Sequence, residues 1–331
     1  MNLTLSFAMS PNPRNQAIFD GRVSPDGIDF VCTPVSPSEL FWRQLRFGDF
    51  DVSEMSLSSL LIALAGGDDR YIGLPVFTTH RFFHNMILVR RDAGIDKPED
   101  LKGKRLGVPE YQQTAALWAR GVLLHEFGVD QTDIEWGMER TPEHSHGGAT
   151  GFKAPPGTTI NQIPGDNNIG DMMLAGELDG TLLWFGGGAN IIDRTSVDLL
   201  NHPDIKTLFP DPIAEGVRYY QKTGMFPINH AMIIRRSIVE DNPWAALNVY
   251  KAMDRANDIA NAERMQHIAY YRHTGLLSAE AAGALDEPLI ECGLKANQKE
   301  IEAAIEYSAE QSLTPRPLKM EEVFAASTLD E

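Results

Sequence analysis

The sequence predicts an α/β protein of two lobes, and three observations lead there. At 331 residues the chain exceeds what one hydrophobic core usually organises, so two domains are the natural expectation. Short strand-like runs alternate with amphipathic helical runs through the first third, the pattern of a parallel sheet with crossover helices. Apolar residues make up 43% and charged residues 23%, the balance of a globular chain with enough apolar surface for a sizeable core.

The elements follow in order. Leu3-Thr4-Leu5-Ser6-Phe7-Ala8 alternates as a strand and stops at Ser10-Pro11-Asn12-Pro13. Gly27 to Cys32 is a second extended run. Ser38 is placed to cap a helix carrying Leu40, Phe41, Gln44, Leu45 and Phe47, which Gly48 ends. Phe50 to Met55 reads as a strand, and Ser56 or Ser58 caps the apolar helix Leu60 to Leu64, stopped by Gly66-Gly67. Met86 to Val89 and Arg105 to Val108 are further strands. A helix runs from about Gln112 to Phe127, with Ala116, Ala119, Leu123 and Phe127 as its buried face and Gly128 as its stop. Residues 137–170 are rich in Gly, Pro, Thr and Asn, and read as a structureless lid or a disordered segment. Order resumes at Met172-Met173-Leu174 and in a strand from Thr181 to Phe185, and the chain beyond Pro243-Trp244 is largely helical.

Charge excludes some functions. A net charge of -17 repels nucleic acid and anionic lipid, and Lys102, Lys104 and Arg105 are too few to track a phosphate backbone. An anionic ligand therefore needs positive potential built locally. Cys32 and Cys292 form no CxxC pair and read as free buried thiols of a reducing compartment. The N-terminus has no basic segment followed by an apolar run, and no later run reaches the length of a membrane span, so a cytoplasmic protein is expected.

Several stretches together resemble one family. Gly103 to Gln112 is similar to the start of the second lobe in periplasmic-binding-protein type II folds. Thr114-Ala115-Ala116 through Trp118-Ala119-Arg120-Gly121, and Glu54-Met55-Ser56-Leu57-Ser58-Ser59, resemble the 4,5-dihydroxyphthalate decarboxylase family more narrowly. So do Leu208-Phe209-Pro210-Asp211, Tyr219-Tyr220, Thr223-Gly224, Phe226-Pro227-Ile228, His230 and Pro243-Trp244. The spaced elements cover roughly residues 1–250 in the right order.

The resemblance implies a two-lobed architecture with a ligand cleft between the lobes. Residues 1–90 and 226–331, including the C-terminal helices, would form lobe one, and residues 91–225 lobe two. It implies loss of CO2 from a hydroxylated aromatic acid without an organic cofactor, and a small aromatic carboxylate as partner; a homo-oligomer is compatible with it. The chain departs from the family pattern at His80 and Phe83, where arginines are expected. A phthalate-type substrate has two adjacent carboxylates, so these departures open the way to a different aromatic or cyclic acid.

Decarboxylating a phenolic acid needs a proton donor for the carbon bearing the carboxylate, a base, and a carboxylate anchor. Of nine histidines, His125, His202, His267 and His273 fall on helices or caps and read as structural. His84 and His230 stand at the two lobe crossings and, with His80, are the candidate acid–base residues; a hinge role satisfying a backbone carbonyl is the alternative. Arg81 is a candidate carboxylate clamp or a surface arginine, and Arg14 a ligand contact or the partner of Asp20 or Glu39. Gln112, Gln113 and Thr114 open a helix whose dipole and N–H groups suit an anion, with Thr114, like Ser56 and Ser58, equally a cap. Tyr111 and Trp184 are placed to sandwich an aromatic ring, or to fill the core.

Glu143-His144-Ser145-His146 has metal-like spacing, but in a Gly-rich loop it reads as a solvated lid, and no metal is expected. Gly186-Gly187-Gly188 reads as a turn. The rival to an enzyme is a cytoplasmic binding or sensor protein using the same cleft without turnover. A menaquinone- or thiamine-pathway relative is a second rival, disfavoured by the lack of a cysteine cluster.

Overall fold

The computed structural model describes residues 2–183, 192–283, 285 and 290–331. Its strands are β1 (Leu3–Met9), β2 (Ile28–Pro34), β3 (Val52–Ser56), β4 (Tyr71–His80), β5 (Leu88–Arg90), β6 (Arg105–Val108), β7 (Glu135–Met138), β8 (Thr159–Gln162), β9 (Gly180–Thr181), β10 (Ile205–Thr207) and β11 (Ile228–Arg235). The helices are α1 (Gln16–Phe19), α2 (Pro37–Phe47), α3 (Leu57–Ala65), α4 (Thr114–Phe127), α5 (His146–Thr150), α6 (Ile169–Leu174), α7 (Pro212–Thr223), α8 (Arg236–Asp241), α9 (Ala245–His273), α10 (Ala279–Gly283), α11 (Gln298–Glu310) and α12 (Met320–Val323).

The strands form two sheets. One has the order β2-β1-β3-β11-β4, the other β10-β5-β9-β6-β7-β8. In the first, β1 runs parallel to β2 and β3, while β11 is antiparallel to both β3 and β4. In the second, β9, β6, β7 and β8 are parallel, β5 alone runs against them, and β10 at the edge is antiparallel to β5. The chain leaves the first sheet after His80 and returns to it at Ile228. A continuous buried cluster links the two: it joins Leu57, Leu61 and Phe77 near the first sheet to Trp118 on α4 and to Val89, Leu106 and Trp136 in the second. The other face of the first sheet packs Phe7, Val52 and Met232 against Val249, Met253 and Ala256 of α9.

Local signals operate as their chemistry requires, with shifts that matter. Helix α2 is capped at Ser36 with Pro37 in its first turn, so Ser38 lies inside the helix and its hydroxyl is available elsewhere. Gly48 and Gly128, at φ 66° and 64°, end α2 and α4 in the left-handed conformation that glycine adopts without a Cβ clash. Helix α3 starts after Ser56, whose side chain makes no capping bond, and Ser58 is within it. Helix α4 is buried all round from Thr114 to Leu123 rather than along one stripe, because α3, α11 and β11 pack against it on different sides. Trp118 donates its indole N–H to the Ile228 carbonyl at 2.7 Å, tying α4 to the start of β11.

Two expectations are corrected. Residues 137–170 are not structureless: they hold the end of β7, the short helix α5, β8 and the start of α6. Strand β8 is an exposed sheet edge without an alternating apolar face, and α5 is hardly more than one turn, so neither leaves a hydrophobic period to read. Of the strand expected from Thr181 to Phe185, the described residues show pairing over Gly180–Thr181 and none at Leu183; Trp184, Phe185 and Gly186-Gly187-Gly188 lie outside the described residues. Strands β4 and β11 went unassigned in the sequence. Cys32 and Cys292 are unpaired and half-buried. Among the described residues no helix is long and apolar enough to cross a membrane.

Candidate functional site

Strand register assembles the first part of the site. His230 on β11 pairs with Ser56 on β3 and with Thr79 on β4, and all three line a cavity of about 270 Å³. That volume is near the lower end of ordinary ligand pockets, about 300–1,000 Å³, and suits a single substituted ring. Asn229 lines the same cavity. Neighbouring strand residues normally face opposite sides. Here the β11–β4 register shifts between Ile228 and His230 and again on either side of Ala231, an irregularity that turns both side chains to one side.

Glu54, one strand position pair below Ser56 on β3, holds the imidazole. Its Oε1 lies 2.8 Å from His230 Nδ1 and also accepts the Thr78 hydroxyl. Burial alone would raise the Glu54 carboxyl, but His230, Thr78 and Arg14 outweigh it and keep the group below the usual carboxylate range. A carboxylate only accepts, so Nδ1 carries the proton. Asn229 Nδ2 stands 2.8 Å from the other ring nitrogen, Nε2.

The second sheet contributes from the carboxyl ends of its strands, where open α/β sheets bind ligands. After β6 the chain turns into α4, and Gln113, Thr114 and Ala115 at its start line the cavity. The start of the helix brings its positive dipole end to the cavity wall. The Thr114 hydroxyl is 2.9 Å from Ser56 Oγ and accepts the Ser58 backbone N–H, joining the start of α4 to that of α3.

Just past β7 lies Arg140, 2% exposed. Its Nε donates to Asp193 Oδ1 at 2.8 Å, its Nη2 to Ser38 Oγ at 3.0 Å, and its Nη1 lies 3.1 Å from His146 Nε2. His146 is 1% exposed, and its Nδ1 is 3.1 Å from Ser59 Oγ. Burial first, then Arg140 and His230, push its imidazolium form well below the usual histidine range, so the ring is neutral at pH 7. The main-chain N–H of His146 donates to Glu110 Oε2, a buried carboxyl that desolvation raises against the pull of Arg140. Phe41 stands edge-on to both imidazoles, with ring centres 4.7 Å from His230 and 6.0 Å from His146. Arg81 is exposed at the same cavity, and Pro37, Phe83, Met86 and Leu183 supply apolar wall.

Of the residues singled out in the sequence, His230, Ser56, Arg81 and Thr114 meet in this cavity. Others do not line it. His84 is buried against Phe209 and Tyr219 and bonds the Glu215 carboxylate on α7 at 3.0 Å. His80 bonds the Phe226 carbonyl at 2.8 Å, and burial pushes it down to about 4. Arg14 donates to the carbonyls of Phe77 and Thr78 and pairs with neither Asp20 nor Glu39. Tyr111 is wholly buried, its ring beneath Arg120 at 3.9 Å and beside Phe152 and Trp136, so it is core rather than half of a sandwich. Gln112 turns to Ser59 and Thr150, leaving its neighbour Gln113 on the cavity wall, and Ser58 bonds the Gln112 carbonyl.

The lid reading of His144 and His146 is also corrected: His146 is buried in the cavity wall, whereas His144 bonds Thr141 and packs beside Trp42. Among the described residues no three His, Cys, Asp or Glu side chains are grouped to hold a metal. Arg140, Ser38, Asn229 and the pairing role of Glu54 were missed. An arginine two residues past a strand end was the available signal for Arg140, and the loop-like composition around it hid that strand.

Known proteins set this geometry in context. Residues 69–146 match the NMT1/THI5-like family model. The chain is 36% identical over 259 residues to a 4,5-dihydroxyphthalate decarboxylase of Comamonas testosteroni, spanning 78% of this chain and 76% of the relative. It is 34% identical to a protein of the same name from Pseudomonas putida, over 66% of this chain and 82% of the other. Among solved structures, the periplasmic aliphatic sulphonate binding protein SsuA from Escherichia coli superposes with a TM-score of 0.54 at 16% identity, covering 98% of this chain and 92% of that one. The desulfurization enzyme DSZB superposes with a TM-score of 0.52 at 14% identity, covering 99% and 98%. The fold is that of the periplasmic binding proteins, a scaffold that carries both binders and an enzyme among these neighbours.

Proposed function

For a chain that belongs to the 4,5-dihydroxyphthalate decarboxylase family, and is thereby a carboxy-lyase, we propose that His230 moves the proton in a cofactor-independent decarboxylation of a 4,5-dihydroxyphthalate-like acid. The observation that carries this reading is the Glu54–His230 pair, set in the wall of a ring-sized cavity that also holds Arg81 and Arg140.

His230, protonated at Nε2, delivers its proton to the ring carbon bearing one carboxylate. The new C–H bond gives a non-aromatic intermediate, with electron density supplied by the hydroxyl para to that carbon. The C–C bond then breaks, its electron pair restores the ring, and CO2 leaves; solvent recharges the imidazole. Glu54 fixes the ring orientation and faces the charge on the imidazolium. Arg81, Arg140 and the start of α4 anchor carboxylate oxygens, which answers the arginines missing at His80 and Phe83. The lobes proposed are residues 1–90 with 226–331, and 91–225, the cleft between them being this cavity. A cytoplasmic location accords with the reading.

The test is CO2 release from 4,5-dihydroxyphthalate by the purified protein, with 3,4-dihydroxybenzoate as the product. Saturable binding without CO2 would overturn it in favour of a binding protein.

A further inference from the structure

We propose that His146 is a positioning residue that locks the Arg140 guanidinium as the anchor of the carboxylate that stays on the ring. This rests on the decarboxylase reading and adds to it which carboxylate is held where. An ortho-dicarboxylate offers two chemically alike groups, and only one departs per turnover. Selectivity between them needs one fixed anchor and one group left at the proton donor.

Arg140 is built to be the fixed one. Three of its nitrogens face Asp193, Ser38 and His146 at 2.8, 3.0 and 3.1 Å, so the plane of the guanidinium is defined from three directions. Those partners come from separate parts of the chain: Ser38 lies on α2, His146 opens α5, and Asp193 follows β9 by about a dozen residues. Arg81, by contrast, is exposed and joined through its backbone N–H to the Pro227 carbonyl. A rigid, buried guanidinium retains a carboxylate, whereas strong pairing of the departing one would stabilise the ground state against CO2 loss.

His146 has a chemically defined part in this. A guanidinium only donates, so His146 Nε2 must accept from Arg140, and Nδ1–H must then donate to Ser59 Oγ. With both nitrogens committed, the ring is unsuited to passing protons itself. Burial keeps it neutral, the form in which Nε2 can accept. The groups facing it are Arg140, His230, Ser59 and, through the main-chain N–H, Glu110. Phe41 closes its remaining flank.

The experiment compares wild type with His146→Ala, His146→Gln and Ser59→Ala. Calorimetry follows 3,4-dihydroxybenzoate, which keeps the retained carboxylate, and catechol, which has none. Turnover of 4,5-dihydroxyphthalate is followed alongside. His146→Ala is expected to weaken 3,4-dihydroxybenzoate by about tenfold or more, the scale of one charge-assisted hydrogen bond. Catechol binding should be unchanged, and the loss in turnover should fall on KM more than on kcat. His146→Gln, whose amide oxygen accepts from Arg140 as Nε2 does, should recover most of the affinity. Ser59→Ala removes one hydroxyl and should give an intermediate loss. Wild-type affinity in His146→Ala, or an equal loss for catechol, would overturn the proposal. So would a Gln variant as weak as the Ala variant. A wild-type protein that neither binds these compounds nor releases CO2 instead sinks the decarboxylase reading itself, which keeps the two failures apart.

Discussion

Glu54→Gln is the sharpest perturbation of the proposed chemistry. The substitution preserves volume in a site where Glu54 is 3% exposed, and leaves an amide oxygen to accept His230 Nδ1–H at the 2.8 Å position. The imidazole should therefore keep its place and lose only the carboxylate's charge. A hydrogen bond to a charged group contributes about 1.5–3 kcal/mol and a neutral one about 0.5–1.5, so the expected loss is about 1–2 kcal/mol. That corresponds to roughly a 5- to 30-fold fall in rate. Because the charge acts on the imidazolium that delivers the proton, the fall should appear in kcat. Steady-state CO2 release from 4,5-dihydroxyphthalate measures it, with circular dichroism to establish that the variant is folded. His230→Ala should abolish turnover, and adding Glu54→Gln to it should cost nothing more, since the two act as one unit. A folded Glu54→Gln with wild-type kcat would refute the reasoning, as would independent, additive losses.

Three other outcomes are expected. Arg81→Lys exchanges a planar two-pronged donor for a point charge and should raise KM on the order of tenfold while leaving the thermal midpoint unchanged; an unmoved KM removes Arg81 from substrate binding. Glu215, hydrogen-bonded to Arg218 and His84, is held down to about 2 from an ordinary 4.5, even though burial opposes the shift. A depressed carboxyl stabilises the fold above its unfolded pKa and loses that effect as pH falls through the folded one. Glu215→Gln should therefore lower the midpoint at pH 7, with the gap to wild type closing between about 4.5 and 2 in a denaturation series; a gap independent of pH would count against it. Gly121→Ala places a Cβ against the Tyr307 ring, where α11 crosses α4. Overpacking of about 1–3 kcal/mol should outweigh the helix propensity gained, about 1 kcal/mol, and a raised denaturant midpoint would contradict that.

The legible parts of this protein were those that local chemistry governs. The alternation of strands and helices in the first third, the glycine stops at Gly48 and Gly128, and the motifs shared with the decarboxylase family all lie in contiguous residues. They sufficed for the α/β class and for the family, and they singled out His230, Ser56, Arg81 and Thr114, which line one cavity. Strand β11 was not legible as the antiparallel insertion between β3 and β4, because nothing local tells a strand which neighbours it will have.

The remainder of the site depends on that insertion and on burial. Glu54 and His230 are 176 positions apart and meet only because β11 lies beside β3, with its register shifted where His230 must turn. His146 sits in a stretch whose composition suggests solvent, yet Arg140, Ser59 and Phe41 enclose it, and desolvation then decides that it is neutral. His84 and His80 illustrate the converse. Both stand beside the crossing between sheets, and packing commits them to Glu215 and to the Phe226 carbonyl instead. The sequence by itself determined which chemical groups were on hand and which family they belong to. Tertiary structure decided which of them share a cavity, because charge state and hydrogen-bond partner are properties of surroundings that distant segments create.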